Sequence, residues 1–290
     1  MYSIDLILTG LTLGGLYSLV AMGLTLQFGA ARIMNLSYGE FLIGASFAAL
    51  FLVNLGINPI VGLVLLVPVG FAVHWLIYQT LMLPLVRRTN AGPQLEVDSI
   101  LATFGILFVV QGIMLVIFGG NYFSYSFLSF PIHLFGTSAA ANRLLVLVFA
   151  LVLGIGAYLL MARTRTGMAM RAVATAPGFA SLVGINVERT SAIAFAAGGA
   201  MVAASGVLIS MFLPFTSSMG VLFTMKALVV VIMGGVGNLL GCLVAGMLLG
   251  FSEALVSRYV DPGLTLAANY ALFLLVLLFL PSGIFGRTAR

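Results

Sequence analysis

The sequence predicts an all-α polytopic membrane protein with about eight or nine transmembrane segments, one of them a helix broken by glycine. Of 290 residues, 62% are hydrophobic and 7% are charged, whereas about 25% of the residues in soluble domains are charged. The apolar runs follow one another without a polar block large enough for a separate soluble domain. We therefore expect one membrane domain over residues 1–290.

Apolar runs of about 20 residues, the length that crosses a bilayer, divide the chain into successive helices. The first run begins close to the N-terminus and lacks the basic segment of a cleaved signal peptide, so we expect it to stay in the mature protein. The predicted helices are 6–28, 36–53, 60–82, 99–118, 144–162, 191–212, 222–235, 238–257 and 264–281.

The apolar stretch 222–257 is too long for one ordinary span. As a straight helix it would be roughly 54 Å long, against a hydrocarbon core of roughly 30 Å. Gly234, Gly235 and Gly237, followed by Asn238, interrupt it, so we expect a short helix, a break and a full span. The stretch either crosses and returns or makes one tilted crossing, and the side of the C-terminus depends on which of these holds.

Basic residues fall mainly on one side of the predicted spans. Because cytoplasmic loops of membrane proteins retain Lys and Arg, this side is predicted to be cytoplasmic and the N-terminus to be outside. The cytoplasmic group is Arg32, Arg87, Arg88, Arg163, Arg165, Arg171, Arg189, Arg287 and Arg290. The outer group is Arg143, Lys226 and Arg258.

The sequence contains no recognisable catalytic, nucleotide-binding or metal-binding motif. A P-loop needs a lysine followed by Ser or Thr, and the single lysine, Lys226, is followed by Ala227. His74 and His133 lie 59 residues apart without a carboxylate or cysteine at metal-ligand spacing. We predict that the chain is not an enzyme, has no cofactor and, lacking a basic stripe, does not bind nucleic acid.

Three charged residues fall inside predicted spans, where ionisable groups are costly and are candidates for function. Glu40 lies about two turns into its helix, directly after Gly39. It is a candidate for the translocation pathway, or it pairs with a neighbouring helix end such as Arg32. Lys226 and Glu253 lie near the outer ends of their segments, which predicts anchoring at the membrane interface.

A polar interval, residues 163–190, separates two apolar runs. Thr166 is predicted to cap a short helix that starts at Gly167 or Met168 and ends at Ala176, before Pro177. That helix carries small residues and Arg171, a shape that fits a cleft in another protein. An ordinary basic cytoplasmic loop is the alternative.

The interval also resembles the cytoplasmic coupling segment of LivH-type permease subunits, which belong to ABC importers of branched-chain amino acids. The shared pattern is R-T-x-x-G-x-A-x-R-A followed by A-x-x-x-G-I-N. It falls on Arg163, Thr164, Gly167, Ala169, Arg171, Ala172, Ala180, Gly184, Ile185 and Asn186. The first two helices, the glycine-broken helix and the final PSGIFG are also similar to the family. One departure is Tyr38, where the family often has His, and it leaves the substrate open.

The resemblance implies a permease subunit of an ATP-driven importer in the bacterial inner membrane. Expected partners are two cytoplasmic ATPase subunits, a second LivM-like permease, a periplasmic binding protein and membrane lipid. The expected substrates are branched-chain amino acids or related small polar organic molecules. A stand-alone channel or secondary transporter is the alternative. It would need no coupling segment and would more often carry charges at mid-membrane.

The resemblance also implies two groups of functional residues. The ATPase-coupling group is Arg163, Arg165, Gly167, Arg171, Ala172, Gly184 and Asn186. We expect Arg171 and the small residues around it to seat the short helix in a groove of the ATPase. The predicted translocation group is Asn35, Gly39, Glu40, Gly234, Gly235, Gly237 and Asn238. We expect its two halves to line one route together.

Overall fold

The computed structural model describes residues 2–89, 93–134 and 137–286. The helices are α1 (Tyr2–Ala31), α2 (Tyr38–Asn54), α3 (Pro59–Ile77), α4 (Leu83–Arg88), α5 (Pro93–Phe118), α6 (Ala141–Arg163), α7 (Arg165–Thr175), α8 (Pro177–Leu182), α9 (Val187–Ser210), α10 (Gly220–Gly234), α11 (Leu239–Tyr259) and α12 (Thr265–Phe279). A π turn (Tyr78–Met82) joins α3 to α4, a 3-10 turn (Pro262–Leu264) precedes α12, and strands β1 (Pro131–Leu134) and β2 (Thr137–Ala140) form an antiparallel hairpin.

The helices confirm an all-α polytopic membrane protein. Within the described residues, seven helical segments are long and apolar enough to cross a membrane, and α2 and α10 are shorter apolar helices. The predicted ranges match these helices to within a few residues at most ends. The exception is α5, which starts at Pro93 instead of residue 99.

The centre of the bundle is formed by α1 and α9, whose side chains are mostly buried. Glycines let α11 approach α1 closely. A side chain at Gly14 would meet the backbone of Met247, and one at Gly250 would overlap the backbone of Gly14. Small residues at helical spacing permit such close packing in lipid, where no hydrophobic force draws helices together.

The broken stretch folds into an antiparallel hairpin of α10 and α11. Gly234, at the end of α10, lies against Gly241 in the first turn of α11, and both positions have no room for a side chain. Further along the hairpin, Lys226 contacts Glu253. The chain therefore turns back at residues 235–238, and a single tilted crossing is excluded.

The C-terminal segment closes the turn between α10 and α11. The backbone N–H of Ile284 donates to Met233 O at 2.8 Å, and Asn238 Nδ2 donates to Phe285 O at 3.2 Å. The C-terminal end therefore lies on the same side as α7, beside the same cleft. Two arginines of the predicted cytoplasmic group, Arg287 and Arg290, lie outside the described residues.

The linker between α1 and α2, residues 32–37, folds back into the bundle. Leu36 N donates to Thr103 Oγ1 of α5 at 3.1 Å, and Asn35 Nδ2 donates to Gln27 Oε1 of α1 at 3.0 Å. The Tyr38 hydroxyl donates to the carbonyl of Gly198, the twelfth residue of the 24-residue α9. Helix α2 therefore begins near the middle of the bundle, not at its end.

The polar interval forms two short helices, α7 and α8, and the predicted N-cap is wrong by two residues. Thr164, not Thr166, caps α7, because its hydroxyl accepts the Gly167 N–H at 3.0 Å. Thr166 lies within the first turn. Pro177 starts α8, as its fixed φ and missing N–H favour at a first helical position.

Candidate functional site

Glu40 lies at the centre of the molecule, in the first turn of α2. Its side chain is fully buried, and no described side chain hydrogen-bonds either carboxylate oxygen. The carboxylate lies against Gly220, where any side chain would overlap it. Gly220 begins α10, and the Val221 N–H of that turn faces the carboxylate. The positive end of a helix dipole therefore points at Glu40.

The backbones of α2 and α10 touch beside this carboxylate. A side chain at Gly39 would overlap the carbonyl of Gly220. Gly39 N donates to Thr224 Oγ1 at 2.8 Å, and the same hydroxyl donates to Leu36 O at 3.2 Å. Two helices that both start inside the bundle are thus joined through glycine and threonine.

Arg32 donates to Ala174 O at 3.1 Å, so the predicted alternative of an Arg32–Glu40 pair is wrong.

Tyr38, the departure from the family pattern, is fully buried and makes internal contacts. Its hydroxyl donates to Gly198 O at 2.8 Å and fills the space left by Gly23. The buried ring of His74 lies edge-on to it, with ring centroids 6.5 Å apart. The tyrosine therefore packs helices α1, α2, α3 and α9 together at this level.

Lys226 and Glu253 form a largely buried ion pair inside the bundle, so the prediction that they anchor the interface is wrong. Lys226 Nζ lies 2.9 Å from both Glu253 oxygens, and each side chain is 15% exposed. Lys226 also donates to Tyr17 Oη at 2.7 Å, and Asn269 Nδ2 of α12 donates to Glu253 Oε2 at 3.1 Å. Because Tyr17 lies halfway along the 30-residue α1, the pair lies near mid-span and Lys226 does not belong to the outer group.

The sequence carried a signal for this pair that the analysis of single spans missed. Lys226 stands eight residues before Gly234, and Glu253 stands twelve residues after Gly241. In a hairpin that turns between these glycines, the two positions differ in depth by about one helical turn. Opposite charges at similar depth in paired helices therefore predict an intramembrane ion pair.

The two halves of the predicted translocation group lie apart. Gly234, Gly235, Gly237 and Asn238 lie at the end of α10, whereas Gly39 and Glu40 contact its beginning. Fourteen steps of 1.5 Å separate these ends by about 21 Å. The two groups therefore do not contact each other, because α10 runs between them, and that they line one route stays a prediction.

The turn at residues 235–238 borders a large cleft at the end of the bundle that carries α7. The cleft has a volume of about 980 Å³ and is lined by the last turns of α1, by α7, by the turn and by residues 281–286. Gly235 and Gly237 both have positive φ, at 96° and 85°, a backbone conformation that favours glycine. Asn238 caps α11 by accepting the Gly241 N–H at 3.1 Å.

Most residues predicted to couple the chain to an ATPase hold the segment itself in shape. Gly167 is buried against the carbonyls of Leu160 and Met161, where a side chain would not fit. Arg171 Nη2 donates back to Ala162 O at 3.1 Å. Gly184 has a φ of 81° in the turn after α8, and Asn186 caps α9 through the Arg189 N–H. Arg163 and Arg165 are exposed, and Ala172 is half-buried.

The large apolar side chains that this segment exposes lie mainly on and just after α8. Phe179 is 75% exposed, Leu182 81% and Val183 75%. These residues are not among the predicted coupling residues, although three large apolar side chains inside a polar interval were a signal. Exposed apolar patches rimmed by polar residues are typical of protein interaction sites.

Comparison with known proteins gives one consistent family. The family model described as branched-chain amino acid transport system, permease component, matches residues 6–281. The chain is 28% identical to the high-affinity branched-chain amino acid transport system permease protein LivH of Escherichia coli, over 99% of this chain and 96% of that protein.

Two further relatives agree. A probable branched-chain amino acid transport permease protein LivH of Methanocaldococcus jannaschii is 32% identical, over 83% of this chain and 77% of that protein. The permease protein BraD of Pseudomonas aeruginosa is 27% identical, over 97% and 95%. No solved structure matches the chain. With a family model covering residues 6–281, this chain belongs to the permease components of branched-chain amino acid transport systems.

Proposed function

We propose that this chain is the membrane-spanning permease subunit of an ATP-driven ABC importer. It moves branched-chain amino acids or related small polar organic molecules into the cytoplasm across the bacterial inner membrane. Its partners are two ATPase subunits, a second permease and an external binding protein. The observation that carries the proposal is the α7–α8 segment, which presents an exposed apolar patch at the arginine-rich end of the bundle.

The contacts that hold this segment to the bundle support a role in transmitting movement from the ATPase to the membrane helices. Thr164 caps α7, Gly167 packs it onto α6, and Arg171 ties it back to Ala162 O. Arg32 binds the far end of the same helix through Ala174 O. A segment held at both ends moves as a rigid body when a docked ATPase moves, whereas a loose loop would absorb the motion.

The docking surface in this proposal is the α8 patch of Phe179, Leu182 and Val183. These apolar side chains supply the contact, because the fully buried core of a protein interface is more apolar than the rest of the protein surface. Arg163 and Arg165 are exposed at the start of the same segment. Arg171 contributes by stabilising the fold of the segment.

A stand-alone channel is less well supported. Charges at mid-membrane were expected to favour a channel or secondary transporter over an importer subunit. They do not distinguish the two here, because Glu40 and the Lys226–Glu253 pair both lie at mid-depth and nothing else about them indicates a channel. An anchored cytoplasmic segment with an exposed apolar patch has no use in a channel that works alone. Membership in a family of transport system permease components also favours a subunit of a larger assembly.

The proposal is tested by purifying the tagged chain from native membranes, identifying bound subunits and measuring ATP-dependent uptake of branched-chain amino acids in proteoliposomes. Leu182→Ala should weaken ATPase binding by roughly fivefold or more, as truncation of an interface anchor does. Leu278→Ala is the matched control, since Leu278 is 76% exposed on α12. Purification without an ATPase, or uptake that does not need ATP, would contradict the proposal.

A further inference from the structure

Glu40 is buried without a cationic partner among the described residues. Its carboxylate is fully buried, no described side chain hydrogen-bonds it, and the backbone N–H of Val221 is the donor that faces it. The hydroxyl of Thr224, which lies beside Gly39, is engaged elsewhere, with Gly39 N and Leu36 O. A buried carboxylate without a cationic partner is costly. Such a group inside a membrane is a candidate for binding a cation during function.

We propose that Glu40 binds the protonated amine of the transported molecule as it passes between α2 and α10. This inference rests on the proposed import function. An ammonium group donates three hydrogen bonds and pairs with an anionic acceptor, which Glu40 supplies. A metal ion needs more ligands, and no three His, Cys, Asp or Glu side chains come together in the described part of the chain.

The contact between α2 and α10 is built so that it can open. Gly39 and Gly220 meet without side chains between them, and Thr224 provides the main hydrogen bonds across the contact. Moving α10 away from α2 therefore breaks few interactions and exposes Glu40 beside bare backbone. In the closed arrangement the N-terminus of α10 compensates the carboxylate charge, and the incoming ammonium takes over that role.

The position of α2 connects this contact to the coupling segment. Residues 32–37 lead directly from Arg32, which is bonded to Ala174 of α7, to Tyr38 at the start of α2. A displacement of α7 therefore reaches Glu40 through six residues of linker. The linker is held by Ser99 and Thr103 of α5, which guide its movement.

The test compares leucine with two analogues on the purified permease complex, using thermal stabilisation to measure binding. Leucinamide keeps the amine and lacks the carboxylate, and 4-methyl-2-oxopentanoate keeps the carboxylate and lacks the amine. Leucine and leucinamide should stabilise the wild-type complex, and the oxo acid should not. Stabilisation by the oxo acid equal to that by leucine, or none by leucine, would overturn the proposal without any variant.

Glu40→Gln should weaken leucine binding roughly tenfold to hundredfold, the effect of losing a charged hydrogen bond. Glu40→Asp, which keeps the charge, should lose less, and Glu96→Gln on α5 should bind as the wild type does. Wild-type leucine affinity in Glu40→Gln would refute the role of Glu40. ATP-driven uptake by the wild-type vesicles is measured separately, so failure of the import function is distinguished from failure of this assignment.

Discussion

The buried pair of Lys226 and Glu253 gives a prediction whose size follows from its geometry. The ammonium makes two 2.9 Å contacts to the carboxylate and one 2.7 Å hydrogen bond to Tyr17, and its nitrogen lies 4.5 Å from the centre of that ring. Glu253→Leu leaves this ammonium buried with only the tyrosine. Breaking one side of a buried pair costs about 3–5 kcal/mol of unfolding free energy.

Replacing both partners removes the uncompensated charge. The double variant Lys226→Met with Glu253→Leu loses hydrogen bonds to Tyr17 and Asn269, which together contribute about 1–2 kcal/mol. We therefore expect the single variant to be the less stable of the two, although it carries fewer changes. If the single variant is less stable than the double variant, the unpaired charge is the cause of the lost stability.

The assay is thermal unfolding of the purified protein in one detergent, with wild type, both single variants and the double variant compared. The midpoint of Glu253→Leu should fall by on the order of 10 °C, and the double variant should recover more than half of that loss. If the double variant unfolds no higher than Glu253→Leu, the pair is not the stabilising contact that its distances indicate. An unchanged single variant would refute the argument equally.

Three further predictions concern the coupling segment and the hairpin. Arg32→Ala removes the tie to Ala174, and we expect ATP hydrolysis to continue while uptake per ATP falls several-fold; unchanged stoichiometry would contradict this. In Gly241→Ala the added methyl group overlaps the backbone of α10, which should lower the free energy of unfolding by about 1–3 kcal/mol, as measured by thermal unfolding. Gly156 has free space around it, so Gly156→Ala should leave the stability unchanged. Thr164→Ala removes the cap of α7 and should destabilise that helix by about 1 kcal/mol, seen as faster amide exchange over α7 alone.

The composition and the spacing of apolar runs were sufficient to predict the membrane class and most helix ranges. This works because a bilayer of known thickness requires apolar helices of known length. The motif of the polar interval likewise indicated the family. Each of these properties depends on residues close together in the chain.

Pairings between distant segments were decided by the tertiary structure. Glu40 and Gly220 are 180 residues apart in the sequence, and nothing local indicates that α2 and α10 both begin inside the bundle and meet there. The ion pair of Lys226 and Glu253 and the tie between Arg32 and Ala174 are also contacts across the fold. The sequence by itself determined which segments enter the membrane, because that choice depends on local transfer energies. Which charges find a partner, and that no described side chain pairs with Glu40, was decided by the way the helices pack.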